Sequence, residues 1–287
     1  MTALQYCIEA ADLHAHLFRV TLDIPEPAAQ QTVSLPVWIP GSYLVREFSK
    51  NLQKLGARQG RRQLEVQQLD KCTWQIACKQ GQALTLSYEV YAFDNSVRTA
   101  WLDSRRGFFN GTSLCLRVHG QEQLPHQLAL QAVKSQPDWQ AATGLTPLKT
   151  DKRGFGLYQA QDYDELVDCP VELGHFWSGS FKARGIEHRF VVAGALPSFD
   201  GARLLADTQK ICETEIRFWH GQGPQAGRKA PHKSYLFMLN AVDDGYGGLE
   251  HRNSTALICN RRDLPRVGEK KSGEGYTTLL GLISHEY

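Results

Sequence analysis

Hydrophobic and polar residues alternate along several stretches of the first 175 residues. In FRVTLDI, positions 18, 20, 22 and 24 are apolar and the positions between them are polar. The same period of two recurs at 33–39, 84–90 and 114–118. It is typical of strands with one buried face. Because Pro, Gly and Asn turns separate these short strands, the pattern predicts a mainly β domain, built as an antiparallel sandwich or a saddle-like sheet.

The periodicity changes to three or four beyond residue 175. Residues 199–221 predict a helix whose N-cap is Asp200. Its apolar face is formed by Leu205, Thr208, Cys212, Ile216 and Trp219. Strands at 234–242 and 255–260, a glycine-rich turn between them and a terminal helix follow. We therefore predict a β-rich amino-terminal domain, residues 1–175, and the incomplete start of an α+β domain, residues 176–287.

Composition and charge narrow the class of protein. Hydrophobic residues make up 42% of the chain and charged residues 22%, ordinary values for a soluble globular protein. The net charge of +2 favours neither a nucleic-acid nor a membrane partner. The longest apolar runs are shorter than the ~18–20 residues that cross a bilayer. Seven widely spaced cysteines without a C-x-x-C pair indicate reduced thiols, so we expect a cytoplasmic protein.

The dipeptide His285-Glu286 lies near the end of the predicted terminal helix. It matches the first half of H-E-x-x-H, in which two histidines bind zinc and the glutamate is a general base. His285 falls outside the apolar stripe of the helix, one turn after Gly281, which would leave room for a ligand or a metal ion. Alone the dipeptide is a weak signal, since an ordinary surface histidine near a helix end would look the same.

A second candidate site lies in GYGGLEHRNS, between two predicted strands. Gly247 and Gly248 carry no side chain, so another backbone could approach them closely. Glu250 would then present a carboxylate to a ligand cation, such as the free α-ammonium group of a peptide. The alternative is a glycine turn followed by a surface glutamate.

The order Gly-Gly-Leu-Glu, strand, helix, His-Glu resembles the gluzincin aminopeptidases, whose Gly-x-Met-Glu-Asn motif precedes H-E-x-x-H. Five long segments carry a closer resemblance: WIPGSYLVREFSKNLQ (38–53), YAFDNSVRTAWLDSRRGFFNGTSL (91–114), DYDELVDCPVELG (162–174), GGLEHRNST (247–255) and LGLISHEY (280–287). With them, almost the whole chain resembles the amino-terminal part of the bacterial glycyl aminopeptidase family. Members of that family usually carry a PDZ domain near the carboxyl end.

The resemblance implies a β-rich domain followed by a thermolysin-like catalytic domain. It implies that His285 is the first zinc ligand, that Glu286 is the general base, and that Glu250, beside Gly247 and Gly248, binds the amino terminus of the substrate. The implied partner is a peptide with a free amino terminus, and the implied cofactor of the full-length protein is zinc. The second histidine and a downstream glutamate ligand are missing, so we expect a truncated, inactive fragment without bound zinc.

The glycine motif reads Gly-Gly-Leu-Glu-His here, without the Met and Asn of the related aminopeptidases. The alternative function is a non-enzymatic β-sandwich that binds a ligand or a protein. In that case WIPGSY and the aromatic residues Trp101, Phe108 and Phe109 would form a contact surface. Their simpler explanation is packing between strands.

Overall fold

The computed structural model describes residues 3–221, 230–269 and 271–287. The chain divides into two compact units, residues 1–174 and residues 175–287. Whether the predicted domains 1–175 and 176–287 fold independently stays a prediction.

The first unit is almost entirely β. Its strands are β1 (Leu4–Asp12), β2 (Leu17–Ile24), β3 (Gln30–Ser34), β4 (Leu52–Gln59), β5 (Arg62–Leu64), β6 (Gln67–Gln68), β7 (Thr73–Ala77), β8 (Leu84–Tyr91), β9 (Ala100–Leu102), β10 (Arg106–Phe109), β11 (Arg117–Val118), β12 (His126–Leu130), β13 (Gln140–Thr143), β14 (Thr146–Thr150), β15 (Gly156–Ala160) and β16 (Val171–Gly174). Two short helices, α1 (Gly111–Leu114) and α2 (Tyr163–Asp168), and a 3-10 turn (Phe48–Asn51) complete it.

Within the described residues, the strands of the first unit form one large sheet and two smaller ones. The large sheet has the order β14-β15-β12-β1-β2-β8-β4-β5, and the smaller sheets have the orders β13-β16-β10-β9 and β11-β3-β7-β6. The prediction of a mainly β amino-terminal part is confirmed. The large sheet is not purely antiparallel, because β1 pairs in parallel with β12, from Leu4 opposite His126 to Ile8 opposite Leu130.

Alternation predicts β2 and β8 well, because each has one face in the interior. The four apolar residues of β2 that carried the prediction, Phe18, Val20, Leu22 and Ile24, are all fully buried. The strand predicted at 33–39 ends early, at Ser34. Pro36 follows within two residues and has no N–H to donate to a neighbouring strand.

The strand predicted at 114–118 is wrong over most of its length. Leu114 ends α1, and only Arg117 and Val118 pair as a strand. Leu114, Cys115 and Leu116 are all fully buried, so alternation could not describe them. Three buried tyrosines, here called the tyrosine triad, donate hydroxyl hydrogen bonds to their carbonyl oxygens: Tyr88 to Leu114 at 2.6 Å, Tyr163 to Cys115 at 2.7 Å and Tyr6 to Leu116 at 2.7 Å.

Over residues 175–221, 230–269 and 271–287, the second unit combines a sheet with two longer helices. Its elements are β17 (Phe176–Ala183), β18 (Ile186–Ala193), α3 (Gly201–Ile216), a π-helical turn (Arg217–Gly221), β19 (Ser234–Val242), β20 (Gly247–Glu250), β21 (Ser254–Asn260), a 3-10 turn (Arg261–Asp263) and α4 (Glu274–Glu286). In the described part of the chain, the sheet order is β17-β18-β19-β21-β20. The three middle strands are parallel, and the two outer strands run antiparallel to their neighbours.

Helices α3 and α4 cover one face of this sheet. Alternate residues of the middle strands, including Phe237, Leu239 and Leu257, join one buried core with residues of both helices, including Cys212 and Ile283. Each fully buried aliphatic or aromatic side chain stabilises the fold by about 1.5–3 kcal/mol. No helix in the described ranges is long and apolar enough to span a membrane.

The predicted cap of α3 is present, but one residue of its predicted apolar face is not. The Asp200 carboxylate accepts a hydrogen bond from the Arg203 backbone N–H at 3.0 Å, as an N-cap residue does. Trp219 is 59% exposed rather than buried. The helix widens into the π-helical turn after Ile216, and this wider turn shifts the following side chains out of the 3.6-residue register.

Candidate active site

The first candidate segment forms an edge strand. The sequence predicts a glycine-rich turn at this point, whereas Gly247–Glu250 form β20, paired with β21 and last in the order of the sheet. A tight turn follows, in which the His251 N–H donates to the Ser254 carbonyl at 2.9 Å. Because paired residues of an antiparallel ladder alternate in hydrogen bonding, the backbone N–H and C=O groups of Gly248 and Glu250 point away from β21.

Gly248 and Glu286, which are far apart in the sequence, meet in the structure. A Cβ atom built on Gly248 would lie 2.4 Å from both Cδ and Oε1 of Glu286, closer than real side chains approach. The Glu286 side chain, in the last turn of α4, is 7% exposed. Gly248 therefore permits a close approach, as its sequence predicts, but a carboxyl group makes the approach rather than another backbone.

Glu250 lies on the same face of the sheet as this contact. Side chains of a strand alternate between faces, so Glu250 and the missing side chain of Gly248 point to one side. The Glu250 side chain is exposed. Two carboxylates that the sequence singles out, those of Glu250 and Glu286, are thus on one face at one edge of the sheet.

Gly247 has a different reason to be glycine. Its φ angle of +151° is one that residues with side chains rarely adopt. A Cβ atom there would meet no described heavy atom within 4 Å. The residue provides a backbone conformation at the start of β20, and it does not make room for a neighbour.

His285 lies on the exposed side of α4, together with Thr278 and Gly281. Leu282, which the helical spacing predicts on the same face, is instead buried in the core. In the described ranges, no group of three or more His, Cys, Asp or Glu side chains could hold a metal ion. Among the described residues, His285 is thus a candidate metal ligand, but the further ligands that a metal site needs are not grouped with it. The site roles of His285, Glu286, Glu250, Gly247 and Gly248 stay predictions.

A buried polar network, which sequence reasoning missed, lies beneath the end of α4. The Tyr235 hydroxyl shares its single proton between two acceptors in a bifurcated hydrogen bond, the carbonyl oxygens of Ser254 at 3.1 Å and Glu286 at 3.2 Å. Tyr235 belongs to the apolar stretch SYLFMLNAV, where a tyrosine is indistinguishable from an ordinary core residue. Burial above all raises the pKa of Tyr235 well above its usual value, so its hydroxyl stays protonated and remains a donor.

A second hydrogen bond holds the residue after Glu286. His188 Nδ1 lies 2.9 Å from the Ile186 carbonyl oxygen and must donate to it, because a carbonyl only accepts. His188 Nε2 then accepts from the Tyr287 hydroxyl at 2.8 Å. The His188 ring also stacks on Phe181, with ring centroids 5.0 Å apart.

The pKa values of His188 and His232 indicate that stability depends on pH. Burial lowers the pKa of His188, and burial together with the nearby His188 and His220 lowers the pKa of His232 to about 4. The unfolded chain binds protons at about pH 6.5. These two histidines therefore leave the free energy of unfolding unchanged above about pH 6.5 and lower it progressively as the pH falls toward about 4.

We expect the thermal midpoint of the 287-residue chain to fall between pH 7 and pH 5.5, where most carboxylates are still ionised. Circular dichroism melts at several pH values measure it. His232→Gln should make this part of the curve flatter, because glutamine does not titrate. Parallel curves for the wild-type chain and the variant would contradict the assignment.

Two of the three aromatic residues that the alternative function places on a contact surface are buried instead. Phe108 and Phe109 are 2% and 1% exposed, and the Trp101 ring stacks on Phe93 with centroids 4.4 Å apart. Packing between strands therefore accounts for Phe108 and Phe109, whereas Trp101 is half-buried against Phe93, which is 47% exposed. Within WIPGSY, Trp38 and Tyr43 are exposed.

Comparison with known proteins gives the class and then the family. A solved structure of an aminopeptidase N family protein from Idiomarina loihiensis is 43% identical to this chain, with a TM-score of 0.93. The match covers 99% of this chain and 47% of that protein. Residues 5–175 match the Peptidase M61 N-terminal domain model. The chain is thus related to peptidases, and it belongs to the M61 peptidase family.

A more distant structure shares the fold alone. Legionella pneumophila aminopeptidase A, solved in complex with aspartic acid, is 12% identical with a TM-score of 0.59. The match covers 99% of this chain and 33% of that protein, so the chain spans half or less of the length of both relatives. No curated protein matches. The peptidase resemblance seen in the sequence is confirmed at the level of the M61 family.

Proposed function

We propose that this chain is the amino-terminal part of a cytoplasmic, zinc-dependent aminopeptidase of the glycyl aminopeptidase type. In this proposal a thermolysin-like catalytic domain begins within residues 176–287, and the full-length protein continues to a PDZ domain. The observation that carries the proposal is the contact of the Glu286 carboxyl group with Gly248, on the edge strand that also bears Glu250. Membership of the M61 family supports a peptide substrate.

The proposed substrate lies along β20. An edge strand offers backbone groups to an extended peptide, which can add to the sheet as a further strand. The backbone groups of Glu250, which point away from β21, suit this role. Glu250 would then pair with the α-ammonium group of the peptide, and the charge-assisted hydrogen bond would fix which peptide bond is cleaved.

Glu286 is the proposed general base. Its carboxylate would take a proton from the water that attacks the scissile carbonyl carbon, and a base must lie within hydrogen-bonding reach of that proton. The contact with Gly248 supports this role, because it holds the carboxyl group at the edge where the peptide would lie.

His285 is the proposed zinc ligand in this chain. An imidazole on the exposed side of a helix suits zinc, and a catalytic zinc site uses three protein ligands. The other ligands would come from the rest of the full-length protein. Zinc, when bound, lowers the pKa of a coordinated water toward neutrality and polarises the carbonyl group.

We expect the 287-residue chain to retain little zinc after dialysis and to hydrolyse no peptide. A chain extended by roughly 30–40 residues should retain stoichiometric zinc, because it would include the ligands that follow H-E-x-x-H. Metal analysis of both forms, with and without His285→Ala, measures this difference. Stoichiometric zinc in the short chain that His285→Ala abolishes would show that the site is assembled differently.

A non-enzymatic binding module is the second candidate function. The observation that favours it is the exposure of Tyr43, at 99%, together with Trp38 in the same loop. Zinc-dependent cleavage of peptides by the full-length protein would exclude this alternative as its main function.

A further inference from the structure

The Tyr235 hydroxyl joins the two segments that carry the proposed catalytic and substrate-binding groups. Tyr235 lies at the start of β19 and is 3% exposed. One of its acceptors is the carbonyl oxygen of Glu286, at the end of α4, and the other is the carbonyl oxygen of Ser254, at the end of the turn between β20 and β21. A single buried side chain thus connects a helix with a hairpin.

The Ser254 carbonyl extends this connection to Glu250. The same oxygen accepts the His251 backbone N–H at 2.9 Å, and His251 directly follows Glu250. The position of the Glu250 backbone is therefore linked, through His251 and Ser254, to the hydroxyl that also holds Glu286. A carbonyl oxygen has two lone pairs, so the bond from Tyr235 leaves a position for a main-chain donor.

Glu286 is held at two further points. Its carboxyl group contacts Gly248, two residues before Glu250 in β20. The next residue, Tyr287, donates its hydroxyl to the buried His188, which belongs to β18. With these contacts the last turn of α4 is held against three strands of the same sheet, β18, β19 and β20.

We propose that Tyr235 is a positioning residue for the reaction: its hydroxyl sets the separation between the base Glu286 and the amino-terminus anchor Glu250. The inference rests on the proposed function, and it adds a residue that touches neither substrate nor metal. Since a peptide bond would have to reach the base while its amino terminus stays on the anchor, a change in this separation affects turnover. A misplacement of about 1 Å can lower a rate about 100-fold.

Tyr235→Phe tests the proposal, with Tyr276→Phe as the matched control. Tyr276 is also buried, at 4% exposure, and its hydroxyl donates to the Asp207 carboxylate at 3.1 Å near the opposite end of α4. Both variants remove one buried tyrosine hydroxyl from the second unit. Only Tyr235→Phe removes the connection between α4 and the turn.

In the full-length protein, we expect Tyr235→Phe to lower kcat/KM for a peptide with a free amino terminus by about 10–100-fold, mainly through kcat. Tyr276→Phe should stay close to the wild-type value. If the two variants lose the same amount of thermal stability, a difference between their kcat/KM values reflects positioning and not destabilisation. An equal kcat/KM for the two variants would overturn the proposal.

Hydrogen exchange in the 287-residue chain tests the connection between the end of α4 and the turn before β21, and it needs no activity assay. Tyr235→Phe should raise the exchange rate of amides in 248–254 and in 283–286 together, by about 5–10-fold, and Tyr276→Phe should not. Unchanged exchange in either segment would overturn the connection. The wild-type full-length protein could be inactive while hydrogen exchange changes as expected. In that case the proposed function would fail, and Tyr235 would stabilise the structure without a role in a reaction, which overturns its positioning role.

Discussion

Gly248→Ala is expected to lower kcat/KM of the full-length protein about 100-fold or more. The added Cβ atom would lie 2.4 Å from Cδ and Oε1 of Glu286, so the carboxyl group or the edge strand must move. A displacement of about 1 Å is sufficient for a loss of this size, because a general base must be within hydrogen-bonding reach of the proton it takes. Steady-state kinetics on a short peptide measures the effect.

The same substitution should destabilise the 287-residue chain by about 1–3 kcal/mol, since it overpacks a buried contact. Gly273→Ala is the matched control, because a Cβ atom at Gly273 would meet no described heavy atom within 4 Å. This control should leave kcat/KM near the wild-type value. Full activity of Gly248→Ala would show that Glu286 does not act from the position described.

Glu250→Ala is expected to cost about 2–5 kcal/mol of transition-state stabilisation on peptides with a free amino terminus. Glu250 is exposed in the 287-residue chain, so an effect of this size requires that the substrate and the rest of the full-length protein cover it. Removal of the carboxylate would then leave the α-ammonium group of the bound peptide without its charged partner. Glu250→Gln preserves the size of the side chain without its charge, so it should lose a similar amount. Comparison of kcat/KM for the three proteins measures the charge contribution.

Glu274→Ala is the control for this second experiment, since Glu274 is also an exposed glutamate of the second unit but lies at the start of α4. It should have little effect. A peptide whose amino terminus is acetylated should be a poor substrate for the wild-type protein, and Glu250→Ala should change its cleavage only slightly. An unchanged kcat/KM of Glu250→Ala on free peptides would remove Glu250 from the site.

Local chemistry explains which parts of the fold the sequence predicts. Alternation predicts β2 because one face of that strand is buried and the other is not. The cap at Asp200 is predictable because its bond to Arg203 spans only three residues. Alternation fails at Leu114–Leu116, where every side chain is buried and the hydrogen-bond donors come from distant tyrosines.

The candidate site also has features that the sequence predicts and features that only the structure shows. The residue types at Gly248, Glu250 and Glu286 suggest chemistry from the sequence alone, but their placement on one face depends on how α4 packs against β20. Nothing in the sequence singles out Tyr235 or His188, since both lie in segments with the pattern of ordinary strands. Their partners are backbone carbonyls or a residue from another element. The roles of such residues can be recognised only when the structure gives the distances of their hydrogen bonds.

The tyrosine triad has a consequence for the order in which the first unit folds. Its hydroxyls reach carbonyl groups that are 26, 48 and 110 residues away in the chain, so the peptide groups at 114–116 lack these partners until β1, β8 and α2 have all assembled around them. Closing loops of this length before their contacts form slows folding, as in other folds of high contact order. We therefore expect the segment to become ordered late, because a nascent chain that ends before Tyr163 leaves the Cys115 carbonyl without its tyrosine donor.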